Sequence, residues 1–152
     1  MEVRATRPVA AAPERVFAFL DRLDRHFHLL GSRAELRVDG STGALVRLRG
    51  PAGLRRSART SVVHSRAPES IVGLAVTNSG SRGVIRWSIR AAGTGSIVEV
   101  LTRADMLAPL DALLLALGGR RWLARSLELA LAALDDHMQR PSGEAEATTL
   151  VT

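Results

Sequence analysis

Four polar side chains fall on strand faces that are otherwise apolar, and these are the positions where chemistry would be sought first. Alternation through residues 2–9 sets Arg7 in line with Val3, Ala5 and Val9. Residues 56–64 set Thr60 and His64 with Ala58 and Val62, and Thr102 follows Val98 and Val100. An inward Arg7 offers a bidentate grip on a ligand carboxylate; the alternative is an arginine at a strand end that reaches solvent or pairs with an acid. His64 has the intrinsic pKa for general acid/base work or for a ligand hydrogen bond. It ends its strand just before Ser65 and Pro68, so a partly exposed rim position is the competing reading. Trp87 brings apolar area and an N–H that needs a partner, in the core or on a ligand.

Other chemistries lack their residues. His26 and His28 stand two apart on a helical pattern and point in different directions, so one metal would not reach both, and no metal site is expected. With no cysteine there is no thiolate nucleophile, disulfide, Cys-ligated zinc or iron–sulfur cluster. No G-x-S-x-G is present, and Gly80, Gly83, Gly93 and Gly95 match neither a P-loop nor a dinucleotide fingerprint, reading instead as hairpin turns. No cofactor is expected.

All 21 basic residues among the 152 are arginines, against 15 acids, for a formal charge of +6. Nucleic-acid binders gather such charge on one face and interleave aromatics. Here the arginines run from Arg4 to Arg140, with pairs only at Arg55–Arg56 and Arg120–Arg121, and specific nucleic-acid binding is not expected. An arginine-only, alanine-rich chain also fits a GC-rich genome. No apolar h-region opens the chain, and the most apolar run, Leu107 to Leu117, contains Pro109 and Asp111. It is well short of the ~20 residues that span a bilayer. The expectation is a cytoplasmic protein without membrane insertion; the oligomeric state is left open.

These side chains need elements to place them. A strand over 2–9 is followed by Pro13 and Glu14, a favourable helix start, and by the stripe Val16, Leu20, Leu23, Phe27 and Leu30, broken into two short helices near Asp21 and stopped at Gly31. Six strands follow, separated by turns at Gly40–Gly43, Gly50–Pro51, Asn78–Ser81 and Gly93–Gly95, among others. Their predicted inward faces are Ala34, Leu36, Val38; Ala44, Val46, Leu48; Ala58, Thr60, Val62, His64; Val72, Leu74, Val76; Ile85, Trp87, Ile89; and Val98, Val100, Thr102. Arg33, Arg37, Arg47, Arg49, Arg59, Arg86, Arg90 and Arg103 take the wet side. A long last helix carries Leu123, Leu127, Ala130, Leu134 and Met138 on one stripe, with Arg121, Arg125, Glu128 and Asp135 opposite. Its first half, Leu107 to Leu117, is apolar almost all round and should be the more enclosed, with a kink or bulge at Gly118–Gly119. Residues 1–138 form one domain of α+β class in which a sheet wraps a helix, and 139–152 read as a flexible tail.

The segment Ala11-Ala12-Pro13-Glu14-Arg15-Val16-Phe17-Ala18-Phe19-Leu20 resembles the opening of the START / birch-pollen-allergen / polyketide-cyclase (SRPBCC) superfamily. The strand Ile85-Arg86-Trp87, the turn Gly93-Thr94-Gly95-Ser96 and the segment Gly118-Gly119-Arg120-Arg121-Trp122-Leu123 are similar to bacterial members. The resemblance implies a helix-grip fold: a curved seven-stranded antiparallel sheet around the C-terminal helix, with a cavity between them. It implies a small hydrophobic ligand, a lipid, sterol-like molecule, polyketide or aromatic acid, bound or transported there. The alternative is a polyketide cyclase, aromatase or dehydratase using the same cavity, so enzymatic activity stays open and no catalytic residue carries over. Arg7, Thr60, His64, Trp87 and Thr102 would then face the ligand, with Leu110 and Leu114, beside Leu113 and Leu117, as its cap. The scarcity of inward proton-transfer groups favours binding; a filled core in a structural or assembly role is the third possibility.

Overall fold

The computed structural model describes residues 1–29, 31, 34–38, 43–50 and 53–140. Leu30, Arg33, the centres of the turns at Gly40–Thr42 and Pro51, the side chains of Phe27 and Val38, and residues 141–152 of the expected tail lie outside that description.

Strand β1 (Glu2–Val9) leads into two helices, α1 (Pro13–Leu20) and α2 (Leu23–His28). Pro13 supplies the preset φ of a first helical residue and Glu14 complements the dipole, while Asp21 ends α1. Six strands follow: β2 (Ala34–Val38), β3 (Gly43–Arg49), β4 (Arg55–Arg66), β5 (Ser70–Thr77), β6 (Arg82–Ala92) and β7 (Gly95–Met106). They form one antiparallel sheet in the order β1-β7-β6-β5-β4-β3-β2, a meander whose last strand pairs with the first. α3 (Pro109–Leu114), a wide π-helical turn (Leu115–Gly119) and α4 (Arg120–Gln139) complete the long C-terminal helix. This is the helix-grip arrangement.

The core lies between α4, α1 and the β1-β7-β6-β5 half of the sheet. Val3, Ala5 and Val9 of β1, Val98 and Val100 of β7, Trp87 and Ile89 of β6 and Ile71 of β5 meet Leu127, Ala130, Leu131, Leu134 and Met138 of α4. Val16, Phe19 and Leu20 close it from α1. The expected outward arginines Arg37, Arg47, Arg49, Arg59, Arg86, Arg90 and Arg103 are exposed, so charge does mark the solvent face. The π-helical turn falls where two glycines were expected to disturb the helix. Gly118 takes φ +122, and a Cβ on Gly119 would stand 2.8 Å from the carbonyl of Leu114.

Four expectations need correction. On β5 the inward residues are Ile71, Gly73 and Ala75, paired with Trp87, Ile85 and Gly83, and not Val72, Leu74 and Val76. This strand is apolar at both parities, so alternation does not choose a face, and a one-residue error turns every side chain over. On β4 the register shifts between Val62 and His64, which pair with Gly73 and Val72. The bulge moves His64 off the Thr60–Val62 face, and it is exposed. On the last helix the enclosure is reversed: α3 buries no residue, and Leu110, Leu113 and Leu117 are exposed, while α4 carries the packed stripe. Asp135, expected on the wet side, is buried on that stripe because it receives the Ala10 N–H at 3.1 Å and faces Arg7.

Candidate functional site

Between α1–α2 and the middle of the sheet lies a cavity of about 30 Å³, room for a water molecule rather than a ligand. Leu20, Leu23 and His26 form its helical wall; Thr60–Val62, Ile71, Gly73–Leu74 and Ile85 form its sheet wall. In the sheet wall β5 contributes Gly73, which has no side chain to fill the space.

Its polar lining is sparse. Thr60 lines the cavity, and its Oγ1 is buried with no hydrogen-bond partner among the described residues. Trp87, 4% exposed, is the neighbour of Ile71 across the sheet, and its Nε1 is likewise buried without a partner among the described residues. Leaving such a donor or acceptor unmatched costs about 1–3 kcal/mol, so each calls for a partner, an ordered water or a bound molecule. The His26 ring stands edge-on to Trp87, 5.0 Å between centroids, and hydrogen-bonds the backbone of Leu20. Burial pushes its pKa down to about 4, against the opposing effect of that hydrogen bond, so the imidazole is neutral at pH 7.

Of the residues singled out in the sequence, the structure brings Thr60 and Trp87 to the cavity wall or its neighbourhood. Arg7 has the inward parity but lies over α4, its Nε 3.6 Å from Asp135 Oδ2, and is 43% exposed. Thr102 is half-buried on the same face, between Val3 and Ile85. His64 is on the opposite face and exposed, Leu110 is exposed, and Leu114 is half-buried on α3. None of these five lines the cavity. Sequence reasoning passed over His26 as a binding group, although it sits three residues after Leu23, within the apolar helical stripe.

It also passed over Arg56. Alternation sets Arg56 on the face of Ala58 and Thr60, and Asp111 is the sole acid in an apolar run; the fold joins them. Arg56 Nε donates to Asp111 Oδ1 at 3.1 Å, and the hydroxyls of Ser79 and Ser81 donate to Oδ2. Ser81 Oγ also accepts the Ala108 N–H at 3.0 Å. Burial alone would raise the Asp111 carboxyl, but the bonds from Ser79, Ser81 and Arg56, with the Arg56 charge, hold it below the usual carboxylate range. The cluster ties α3 to the β5–β6 hairpin and the start of β4. Among the described residues no group of three His, Cys, Asp or Glu side chains could hold a metal ion.

Comparison with known proteins agrees with this architecture. The model of the polyketide cyclase / dehydrase and lipid transport family matches residues 1–139. No curated protein matches the chain. Among solved structures, protein Ms6760 from Mycobacterium smegmatis superposes with a TM-score of 0.70 at 12% identity, covering 92% of this chain and 91% of that one. TTHA0849 from Thermus thermophilus gives 0.65 at 17%, covering 91% and 97%. Mll3558 from Rhizobium loti gives 0.65 at 19%, covering 88% and 96%. At these identities the likeness concerns the fold. With its family model matched over residues 1–139, the chain belongs to the polyketide cyclase / dehydrase and lipid transport family, within the SRPBCC superfamily.

Proposed function

We propose that the protein binds a small hydrophobic molecule carrying a neutral polar group, in the space between α1–α2 and the sheet. The observation that carries this reading is a pair of buried polar atoms without a hydrogen-bond partner among the described residues, Thr60 Oγ1 on the cavity wall and Trp87 Nε1 on the ring that stands against His26 of that wall. An indole N–H donates, and a threonine hydroxyl donates or accepts, which suits a ketone, ester or alcohol. Among the described residues a carboxylate finds no cation there: Arg7 and Arg56 are engaged by Asp135 and Asp111, and His26 is neutral. Because the cavity is about 30 Å³, the ligand enters by displacing α2, a six-residue helix that contributes Leu23 and His26 to the wall and packs on α1 and the edge strand β2.

The second reading is a cyclase or dehydratase, with the buried His26 as its proton-transfer group. An imidazole whose pKa lies near 4 is a weak base at pH 7, so the same observation supports binding more than catalysis. The test is titration of the W122F variant, in which Trp87 is the one remaining tryptophan, with 2-undecanone and with undecanoate, beside mass spectrometry of molecules that co-purify. A saturable change in Trp87 emission with the ketone, and a much weaker one with the acid at pH 7, is expected. Folded protein that yields no co-purifying apolar molecule and no saturable change with either probe overturns the reading.

A further inference from the structure

The outer face of α3 is apolar and uncovered. Leu110, Leu113 and Leu117 are 56%, 54% and 75% exposed, and their spacing of three and four puts them on one helical face; Met106, just before α3, is 56% exposed. The face is held outward, because Asp111 on the other side is anchored to Arg56, Ser79 and Ser81. Monomeric proteins seldom leave such a ridge of large side chains to water without a use for it. The ridge runs into Arg120 and Arg121, both exposed and without an ion pair among the described residues. Leu117, Arg120 and Arg121 border one open concavity of about 570 Å³ at the π-helical turn.

We propose that this face docks on an anionic lipid bilayer, with Leu113 and Leu117 at the boundary of headgroups and acyl chains and Arg120 and Arg121 on lipid phosphates. Charge complementarity selects this occupant: the two arginines have no acidic partner among the described residues and the chain carries a formal charge of +6. The apolar ridge and the flanking cations are the two components of interfacial adsorption. No helix among the described residues is long and apolar enough to cross a membrane, so the contact is peripheral. The proposal is independent of what the interior cavity holds.

Co-sedimentation with vesicles of phosphatidylcholine containing about 30 mol% phosphatidylglycerol, against phosphatidylcholine alone, tests it. Preferential binding to the anionic vesicles, weakened by about 0.5 M salt, is expected. R120A/R121A should lower the partition coefficient roughly 20- to 30-fold, taking about fivefold for each arginine near the surface. L113S/L117S should lower it too. Circular dichroism and melting temperature should stay at wild-type values in both variants, since all four side chains are at the surface. Equal binding to the two vesicle types, binding to neither, or undiminished binding of the variants overturns the proposal. So does a wild-type dimer in analytical ultracentrifugation that L113S/L117S converts to monomer, for then a second copy covers the ridge.

Discussion

At the scale of single residues, the informative groups are those whose chemistry is at odds with their surroundings. His26 is an imidazole kept neutral by burial, with a pKa near 4 in the fold against 6.5 in the unfolded chain. Between those values the unfolded chain binds a proton that the native protein refuses, so stability is complete above about pH 6.5 and falls as pH drops toward 4. The linked loss is about 3 kcal/mol. H26F should remove this part of the pH dependence, as measured by urea unfolding at pH 7 and pH 4.5; an unchanged slope would show that His26 titrates normally. Thr60 presents the opposite case, a buried hydroxyl without a partner. Thr60→Val keeps the shape and removes the unmatched group, so the unliganded protein should gain about 1 kcal/mol while affinity for 2-undecanone falls. Gain of stability with loss of binding separates a ligand contact from a core residue. The inward facing of Thr60 and Trp87 was legible from alternation alone. His26 was not, because a helical stripe does not reveal which of its members faces an empty space.

Among the elements, α3 illustrates how an apolar run misleads. Leu107 to Leu117 has the composition of a buried segment, yet α3 buries nothing and is tied down by one carboxylate. Asp111→Ala removes that tie and leaves the half-buried Arg56 guanidinium without its acid. We expect a loss of about 1–3 kcal/mol and faster amide exchange over residues 109–114, with α4 protected as before. Wild-type exchange rates in α3 of that variant would contradict the anchoring role. The strands show a related limit. β1, β6 and β7 each keep polar or charged residues mostly on one parity (Glu2, Arg4, Thr6; Arg86, Ser88, Arg90; Glu99, Arg103), so their inward faces read from the chain. β5 has no polar face, and β4 carries a bulge between Val62 and His64, so their orientation was decided by pairing with neighbours.

For the molecule as a whole, the consequence is an interior nearly filled when unliganded. A cavity of about 30 Å³ admits no undecanone, so the proposed binding requires the interior to open, and α2 is the short element in its wall. Amide exchange with and without 2-undecanone should therefore change over residues 23–28 and leave the β1–β7–β6 ladder unaltered; a change confined to the sheet would place the entrance elsewhere. The order and type of the elements were determined by the chain, because local periodicity, Pro13, the turn glycines and the outward arginines are short-range signals. The helix-grip arrangement of those elements was implied by the resemblance of residues 11–20 and not by periodicity. What the tertiary structure alone decided is which side chains converge. The pairing of Arg7 with Asp135, the Arg56–Asp111 anchor, the neighbourhood of His26, Thr60 and Trp87, and the exposure of the α3 leucines each join residues far apart in sequence or depend on the space left between packed layers. Periodicity within one element carries no information about that space.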